Sequence, residues 1–334
     1  MISRITTVEM HTGGEPLRII TEGIPVPQGR TLLEKRAYLR DQADQYRQFL
    51  MFEPRGHKDM YGALLVPADH PDADLAVIFM HNEGYSTMCG HAIIALGRYA
   101  LDYGLVVKDT TETRVNIQCP CGLVTAYVTT TEGVTGAVRF ESVPAFALAL
   151  GTYVETADYG PVEIDIGYGG AFYALLDAAS IGLDVHRSST ADLVQGATQI
   201  SEAVKQQLKI THPEEADLGY LYGTILTDGG DGADDVASAN ICVFADAQVD
   251  RSPTGSGVTA RLAVAAAHKT ATVGEIYRFE SVTGAIFTGK IMHSTKVGPH
   301  GAVTVEVSGQ AYYSGSADFT AEEGDPLAGG FLLR

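Results

Sequence analysis

Met88-Cys89-Gly90-His91-Ala92-Ile93-Ile94-Ala95 and Pro253-Thr254-Gly255-Ser256-Gly257-Val258-Thr259-Ala260 are two versions of one local design. In each, a Gly-containing turn leads from a strand-like run into an Ala-rich helix. Aligning Cys89 with Thr254 pairs Gly90 with Gly255, Ala95 with Ala260 and Ala100 with Ala265, at an offset close to half the chain. Self-similarity on that scale implies two pseudo-symmetric halves. A second echo, Arg139-Phe140-Glu141-Ser142-Val143 against Arg278-Phe279-Glu280-Ser281-Val282, follows a different offset and reads as coincidence between strands.

Around these segments, strands dominate. Leu75 to Met80, Val134 to Phe140, Ile241 to Phe244 and Val303 to Val307 are β-rich runs bounded by Gly, Asp and Asn. Three- and four-residue steps predict two packed surface helices, one through Leu32, Leu39, Ala43, Tyr46 and Leu50, the other through Ile200, Ala203, Val204 and Leu208. The fold class is α/β, or α+β. With 334 residues, 45% of them hydrophobic, the chain supports two domains. No charged or low-complexity linker separates them, so the boundary is expected at a pair of strand crossings, giving residues 1–145 plus about 318–334, and residues 146–317.

The 23 Lys and Arg against 41 Asp and Glu leave a formal charge of -18, which repels phosphate backbones and anionic membrane surfaces. Nucleic acid and membrane are therefore excluded as expected partners. A small anionic substrate is not, because helix-start amides hold a carboxylate locally. The N-terminal stretch Met1-Ile2-Ser3-Arg4-Ile5-Thr6-Thr7-Val8-Glu9 lacks a basic segment followed by an apolar one, and no apolar run approaches a membrane span. A soluble cytoplasmic protein is expected. The four cysteines, Cys89, Cys119, Cys121 and Cys242, are too few for a disulfide framework and read as reduced thiols.

A cysteine in the first turn of a helix sits where unpaired N–H groups and the helix dipole favour negative charge, which lowers thiol pKa and supplies thiolate. Cys89 reads as a reactive thiol on that ground, against the bland alternative of a buried structural cysteine. If the two half-repeats face each other, the amides at Gly90-His91 and Gly255-Ser256 form a carboxylate trap. Donors aimed at a carboxylate stabilise the charge that builds there when the neighbouring carbon loses a proton. The base would be Cys89. Asp250 is placed to hold a substrate ammonium, or else is a plain turn aspartate before a helix.

Several stretches together identify a family resemblance: His11-Thr12-Gly13-Gly14-Glu15-Pro16-Leu17-Arg18, Glu53-Pro54-Arg55-Gly56-His57-Lys58-Asp59-Met60-Tyr61-Gly62, Met88-Cys89-Gly90-His91, Tyr168-Gly169-Gly170, and Asp250 through Gly257. Over nearly its whole length the chain resembles the proline racemase superfamily, which includes proline racemases, 4-hydroxyproline 2-epimerases and trans-3-hydroxy-L-proline dehydratases. The resemblance implies the diaminopimelate epimerase fold, two similar halves each wrapping a central helix in antiparallel strands. It also implies Cys89 as proton acceptor, Gly90, His91, Gly255 and Ser256 as substrate contacts, and Asp250 as the ligand of the substrate nitrogen. No cofactor and no metal are implied. The partner is a small molecule, hydroxyproline or proline; a homodimer is left open.

One departure is informative. Racemases of this family carry a second cysteine where this chain has Thr254, and a hydroxyl is a far weaker acid than a thiol. Two-base racemisation is disfavoured, and the Cys89/Thr254 pairing resembles the dehydratases, which are hydro-lyases: one base removes the α-proton while a β-hydroxyl departs. The rival readings are a proline racemase or 4-hydroxyproline 2-epimerase that uses Thr254 and water, and an amino-acid binding protein without turnover. Among the remaining candidates, Cys119-Pro120-Cys121 lacks zinc spacing and reads as turn thiols. His11, His57 and Asp59 read either as a second shell around the pocket or as turn residues, Cys242 as core, and the segment from Leu32 to Leu50 as packing surface.

Overall fold

The computed structural model describes residues 4–109 and 111–333; Met1-Ile2-Ser3, part of the stretch screened for a leader, lie outside the described residues. The chain divides into two compact units, Met1–Val138 with Gln310–Arg334, and Arg139–Gly309.

In the first unit, β1 (Ile5–Thr12) and β2 (Glu15–Glu22) form a hairpin, followed by α1 (Leu32–Gln42) and α2 (Gln45–Met51). Then come β3 (Tyr61–Val66), β4 (Leu75–His81), the central helix α3 (Gly90–Asp102), β5 (Glu112–Cys119), β6 (Gly122–Thr131) and β7 (Val134–Glu141), which runs across the division. The second unit continues with β8 (Ala145–Thr156), β9 (Gly160–Tyr168), β10 (Phe172–Asp177), α4 (Thr190–Gln207), β11 (Leu221–Thr227), β12 (Ser238–Phe244), β13 (Gln248–Asp250), α5 (Gly255–His268), β14 (Ile276–Glu280), β15 (Ile286–Val297) and β16 (His300–Gly309). Finally β17 (Ala311–Phe319) returns to the first unit and pairs with β1 along its whole length.

Strand pairing shows the repeat directly. Each unit contains an antiparallel pair (β1–β2, β9–β10), helix, a strand parallel to the second member (β3, β11), its antiparallel neighbour (β4, β12), a central helix (α3, α5), and a strand parallel to that neighbour (β5, β14). The outer antiparallel partner is β17 for β1 and β8 for β9. The Arg139 and Arg278 echo falls on β7 and β14, which are not counterparts in this scheme. In the second unit the pairings β8–β9–β10–β11–β12–β14–β15–β16–β8 close into a ring. The division lies at 138/139 rather than 145/146 because the end of β7 and the residue after it bond to β16, through the Arg139–Glu306 ion pair and the Ser142 N–H to the Val305 carbonyl. Likewise β17 belongs with β1 from Ala311 onward, which moves the second crossing from about 317/318 to 309/310.

α3 is apolar all round, with eleven of its thirteen residues buried, as a helix wrapped by strands must be. Gly97 permits the closeness, since a Cβ there would stand 3.1 Å from Val138 Cγ1 and 3.2 Å from Val128 Cγ2. The single helix expected through Leu50 is two. α1 starts in a Thr31–Glu34 capping box and stops at Ala43, after which Asp44 begins α2. The buried Arg47 enforces the break, because its guanidinium binds Asp44 at 2.6 Å and the His81 carbonyl at 2.9 Å, drawing the second segment inward. α4 contains the second expected pattern, with Ile200, Ala203 and Val204 buried.

Candidate active site

Cys89, the candidate reactive residue of the first unit, is the N-cap residue of α3. Its backbone is extended (φ -150°, ψ 105°), and its thiol does not cap the helix. Instead Sγ lies 3.0 Å from Nδ1 of His91. The first helical backbone bond is Ile93 N–H to Cys89 O at 3.0 Å, so the amides of Gly90, His91 and Ala92 precede the ladder and point out of the helix start. These are the groups expected to receive a carboxylate.

His91 is 2% exposed, and burial pushes its pKa down to about 3, opposed only by the carbonyl of Pro16. The imidazole is thus neutral at physiological pH. As the Nδ1–H tautomer it donates to a Cys89 thiolate; as the Nε2–H tautomer it accepts from the thiol. Tyr61 packs edge-on to the ring at 5.0 Å, and its hydroxyl is hydrogen-bonded to Ser86. Thr12 Oγ1 donates to the His91 carbonyl at 2.9 Å, tying the β1–β2 hairpin to the first turn of α3. Thr12 and Tyr61 lie inside two of the family-like stretches, but nothing in their spacing announced a role in orienting His91.

A stability prediction arises here. A buried neutral histidine must take up a proton on unfolding in acid, so its contribution is complete above pH 6.5 and is lost as pH falls from there towards 3. His91→Gln should flatten that limb. Urea unfolding at pH 7.5 and pH 5 is expected to show a difference smaller in the variant by about 2 kcal/mol; equal differences would place the burial penalty elsewhere.

His11 lies in strand β1 beside the hairpin turn, and His57 and Asp59 lie in the segment between α2 and β3. His11 stacks on Tyr312 with ring centroids 5.6 Å apart and receives the Gly14 N–H. Asp59 adopts φ 72°, and its N–H donates to Asn82 Oδ1, while Asn82 Nδ2 reaches the carbonyls of Met51 and His57. Cys242 is core, fully buried in β12. Among the described residues no group of three or more His, Cys, Asp or Glu is placed to hold a metal ion.

In the second unit, α5 begins at Gly255 with Thr254 as N-cap. Thr254 sits at φ 65°, a region β-branched residues rarely enter, at a strain cost on the order of 1–3 kcal/mol. Its Oγ1 is buried and makes no well-formed hydrogen bond, although it lies close enough to Asp250 to help hold that carboxyl's pKa down. A strained backbone presenting a buried hydroxyl without a geometric partner is costly unless a ligand supplies one. The first ladder bond is Val258 N–H to Thr254 O at 2.7 Å, leaving the Gly255, Ser256 and Gly257 amides ahead of it.

Asp250 ends β13, and its Oδ1 accepts the Ser252 N–H at 2.7 Å; Ser252 Oγ accepts the Thr254 N–H at 3.1 Å. Burial raises its pKa to about 6, against the pull of Ser252, Thr254 and Arg251. The Ser256 hydroxyl is engaged with the Tyr173 hydroxyl at 2.7 Å, so its amide is the group left to offer a ligand. Gly169 was also missed as a site-building residue. A Cβ there would fall 2.1 Å from Ser256 O, so only glycine lets the end of β9 pass the first turn of α5.

The repeat, with a thiol at one central-helix start and a hydroxyl at the other, defines a protein of the epimerase-like fold. Residues 7–332 match the proline racemase family, and the chain belongs to it. A trans-L-3-hydroxyproline dehydratase of Xenopus tropicalis is 58% identical over 332 residues, covering 99% of this chain and 95% of the relative. A trans-3-hydroxy-L-proline dehydratase of Burkholderia cenocepacia is 43% identical, covering 100% and 99%. The crystal structure of a hydroxyproline epimerase from Agrobacterium vitis with bound trans-4-hydroxy-L-proline superimposes with a TM-score of 0.92 at 27% identity, covering 99% of this chain and 96% of that one.

Proposed function

We propose that the protein dehydrates trans-3-hydroxy-L-proline to Δ1-pyrroline-2-carboxylate, with Cys89 as base. The observation that carries this reading is the replacement of a second thiol by Thr254 at the start of α5, in a chain whose full-length relatives at 43–58% identity bear dehydratase names. In this substrate the α-hydrogen and the 3-hydroxyl share a ring face, so one thiol can serve both. The Cys89 thiolate takes the α-proton, the C–H electron pair becomes the C2=C3 bond, and the C3–O bond breaks as the Cys89 thiol returns its proton to the departing hydroxide. Water leaves. The enamine then gains a proton at C3 and loses one from nitrogen, giving the cyclic imine.

The amides of Gly90 and His91 at the start of α3, and those of Gly255 and Ser256 at the start of α5, are each open to a carboxylate, where charge accumulates as the proton leaves. Asp250 meets the ring ammonium, an interaction that favours its ionised form over the buried carboxylic acid. Thr254 positions substrate rather than exchanging protons. The reaction calls on no cofactor. No helix among the described residues is long and apolar enough to cross a membrane; placement in the cytoplasm, in keeping with four cysteines that form no disulfide, is testable by fractionation. Sedimentation of the purified protein tests the homodimer.

The deciding assay incubates the protein with trans-3-hydroxy-L-proline and, separately, L-proline, following pyrroline-2-carboxylate and optical rotation. Imine from the first and no change in the second supports the dehydratase; racemised proline without imine replaces it with an isomerase. Thr254→Ala should retain dehydration, lowered about 10–100-fold by lost positioning. Thr254→Cys should admit deuterium from heavy water into proline, with D-proline appearing. If Thr254→Ala is as dead as a Cys89 variant, the threonine does chemistry rather than positioning.

A further inference from the structure

The Cys119-Pro120-Cys121 turn takes no part in the chemistry above. Cys119 ends β5 and pairs with Gly122, the first residue of β6, so Cys121 sits in the two-residue turn that follows Cys119. The turn is docked on the reactive segment: the Cys121 N–H donates to the Thr87 carbonyl at 3.1 Å, two residues ahead of Cys89. Cys119 is buried and Cys121 partly exposed. Burial pushes the Cys119 thiol well up, and its hydrogen bond to the Cys121 thiol and the charges of Cys121 and Cys89 push in the same direction. Three sulfurs therefore share one neighbourhood within a single unit.

We propose that Cys119 and Cys121 are resolving thiols for Cys89, a modification site at which peroxide oxidation of the reactive cysteine is caught as an intramolecular disulfide and reversed by small thiols. This role rests on the reactive Cys89 assigned above. The Cys89 thiolate attacks hydrogen peroxide; an S–O bond forms, the O–O bond breaks, and the released hydroxide takes a proton to become water. The Cys119 thiol attacks the sulfenic sulfur, forming an S–S bond while water leaves. Cys121 then attacks the Cys119 sulfur, and Cys89 departs as thiolate from its helix-start site. The thiol of lower pKa is the better leaving group, so exchange runs towards a Cys119–Cys121 disulfide and a restored Cys89. Two equivalents of an external thiol return the pair to the reduced state.

The experiment treats the full-length protein, Cys119→Ser and Cys121→Ser with an excess of hydrogen peroxide over the two equivalents that sulfinic acid requires, alkylates remaining thiols, and maps the products by mass spectrometry. The expected result is a disulfide joining Cys119 to Cys121 or to Cys89 in the wild type, with dithiothreitol restoring activity. In Cys119→Ser, Cys89 should instead advance to sulfinic acid, at least five-fold more than in the wild type, and activity should not return; in Cys121→Ser the Cys89–Cys119 disulfide should accumulate, with activity lost until dithiothreitol restores it. Equal sulfinic acid at Cys89 in the wild type and Cys119→Ser, no disulfide in the wild type, or no Cys89–Cys119 disulfide in Cys121→Ser overturns the relay. Should the buried Cys119→Ser fail to fold, Cys121→Ser on the partly exposed turn carries the test alone. The disulfide is read by mass, so it can form in a protein that does not dehydrate hydroxyproline, and the two readings fail separately.

Discussion

Cys89→Ala should reduce imine formation from trans-3-hydroxy-L-proline by about 10^4-fold or more, at the upper end of what a general acid–base group contributes, equivalent to a barrier increase of about 5.5 kcal/mol. The size follows from the double use of one sulfur. The thiolate removes the α-proton and the same thiol assists the hydroxide, so its loss removes both proton transfers at once. Nothing nearby replaces it: His91, whose Nδ1 lies 3.0 Å from the sulfur, has its pKa pushed down to about 3 and is too weak a base. Cys89→Ser should be nearly as inactive, because a hydroxyl is not ionised at a helix start near neutral pH. Folding should survive, since the Cys89 side chain caps nothing, and equal melting temperatures would establish that the loss is chemical. Binding separates the roles further: calorimetry with substrate should still show uptake by Cys89→Ala, because the amides of Gly90 and His91 remain. Residual turnover within 10-fold of wild type would remove Cys89 from the mechanism.

How much of this could be read without coordinates differs by residue. The starts of α3 and α5 were legible because a helix beginning leaves a local mark, glycine after the cap and alanines behind it, and the two marks repeat. Strand runs such as Leu75 to Met80 and Val303 to Val307 were legible from β-branched content. What was hidden depends on contacts between distant residues. Thr12 reaches the His91 carbonyl across 79 positions, and Tyr173 reaches Ser256 across 83; neither pairing leaves a periodic trace. The division of α1 from α2 escaped for the same reason, since apolar residues at Leu39, Ala43, Tyr46 and Leu50 keep helical spacing through a break that Arg47 enforces from β4. The unit boundaries moved because they are settled by the pairing of β7 with β16 and of β17 with β1, which no local window contains.

Asp250→Asn should make the protein more stable and less active at once. The folded carboxyl has its pKa raised by burial to about 6 from an ordinary 3.8. The native state therefore holds a proton that the unfolded state releases, and stability falls as pH rises from 3.8 through 6. Above that range the buried charge costs on the order of 3 kcal/mol. Asparagine keeps an oxygen to accept the Ser252 N–H and carries no charge. At pH 8 the variant should melt about 5 °C higher, and at pH 4, where both side chains are neutral, the two curves should nearly coincide. Activity should move the other way, falling about 10^2–10^3-fold, because an amide does not answer the charge of a ring ammonium in a dry site. Substrate is the internal control: saturating hydroxyproline should raise the melting temperature of the wild type and leave Asp250→Asn nearly unmoved. A variant that melts lower at pH 8 would mean that Ser252, Thr254 and Arg251 outweigh burial and keep the carboxylate ionised at little cost, which would leave Asp250 a turn residue of the fold rather than a charge held in reserve for the substrate nitrogen.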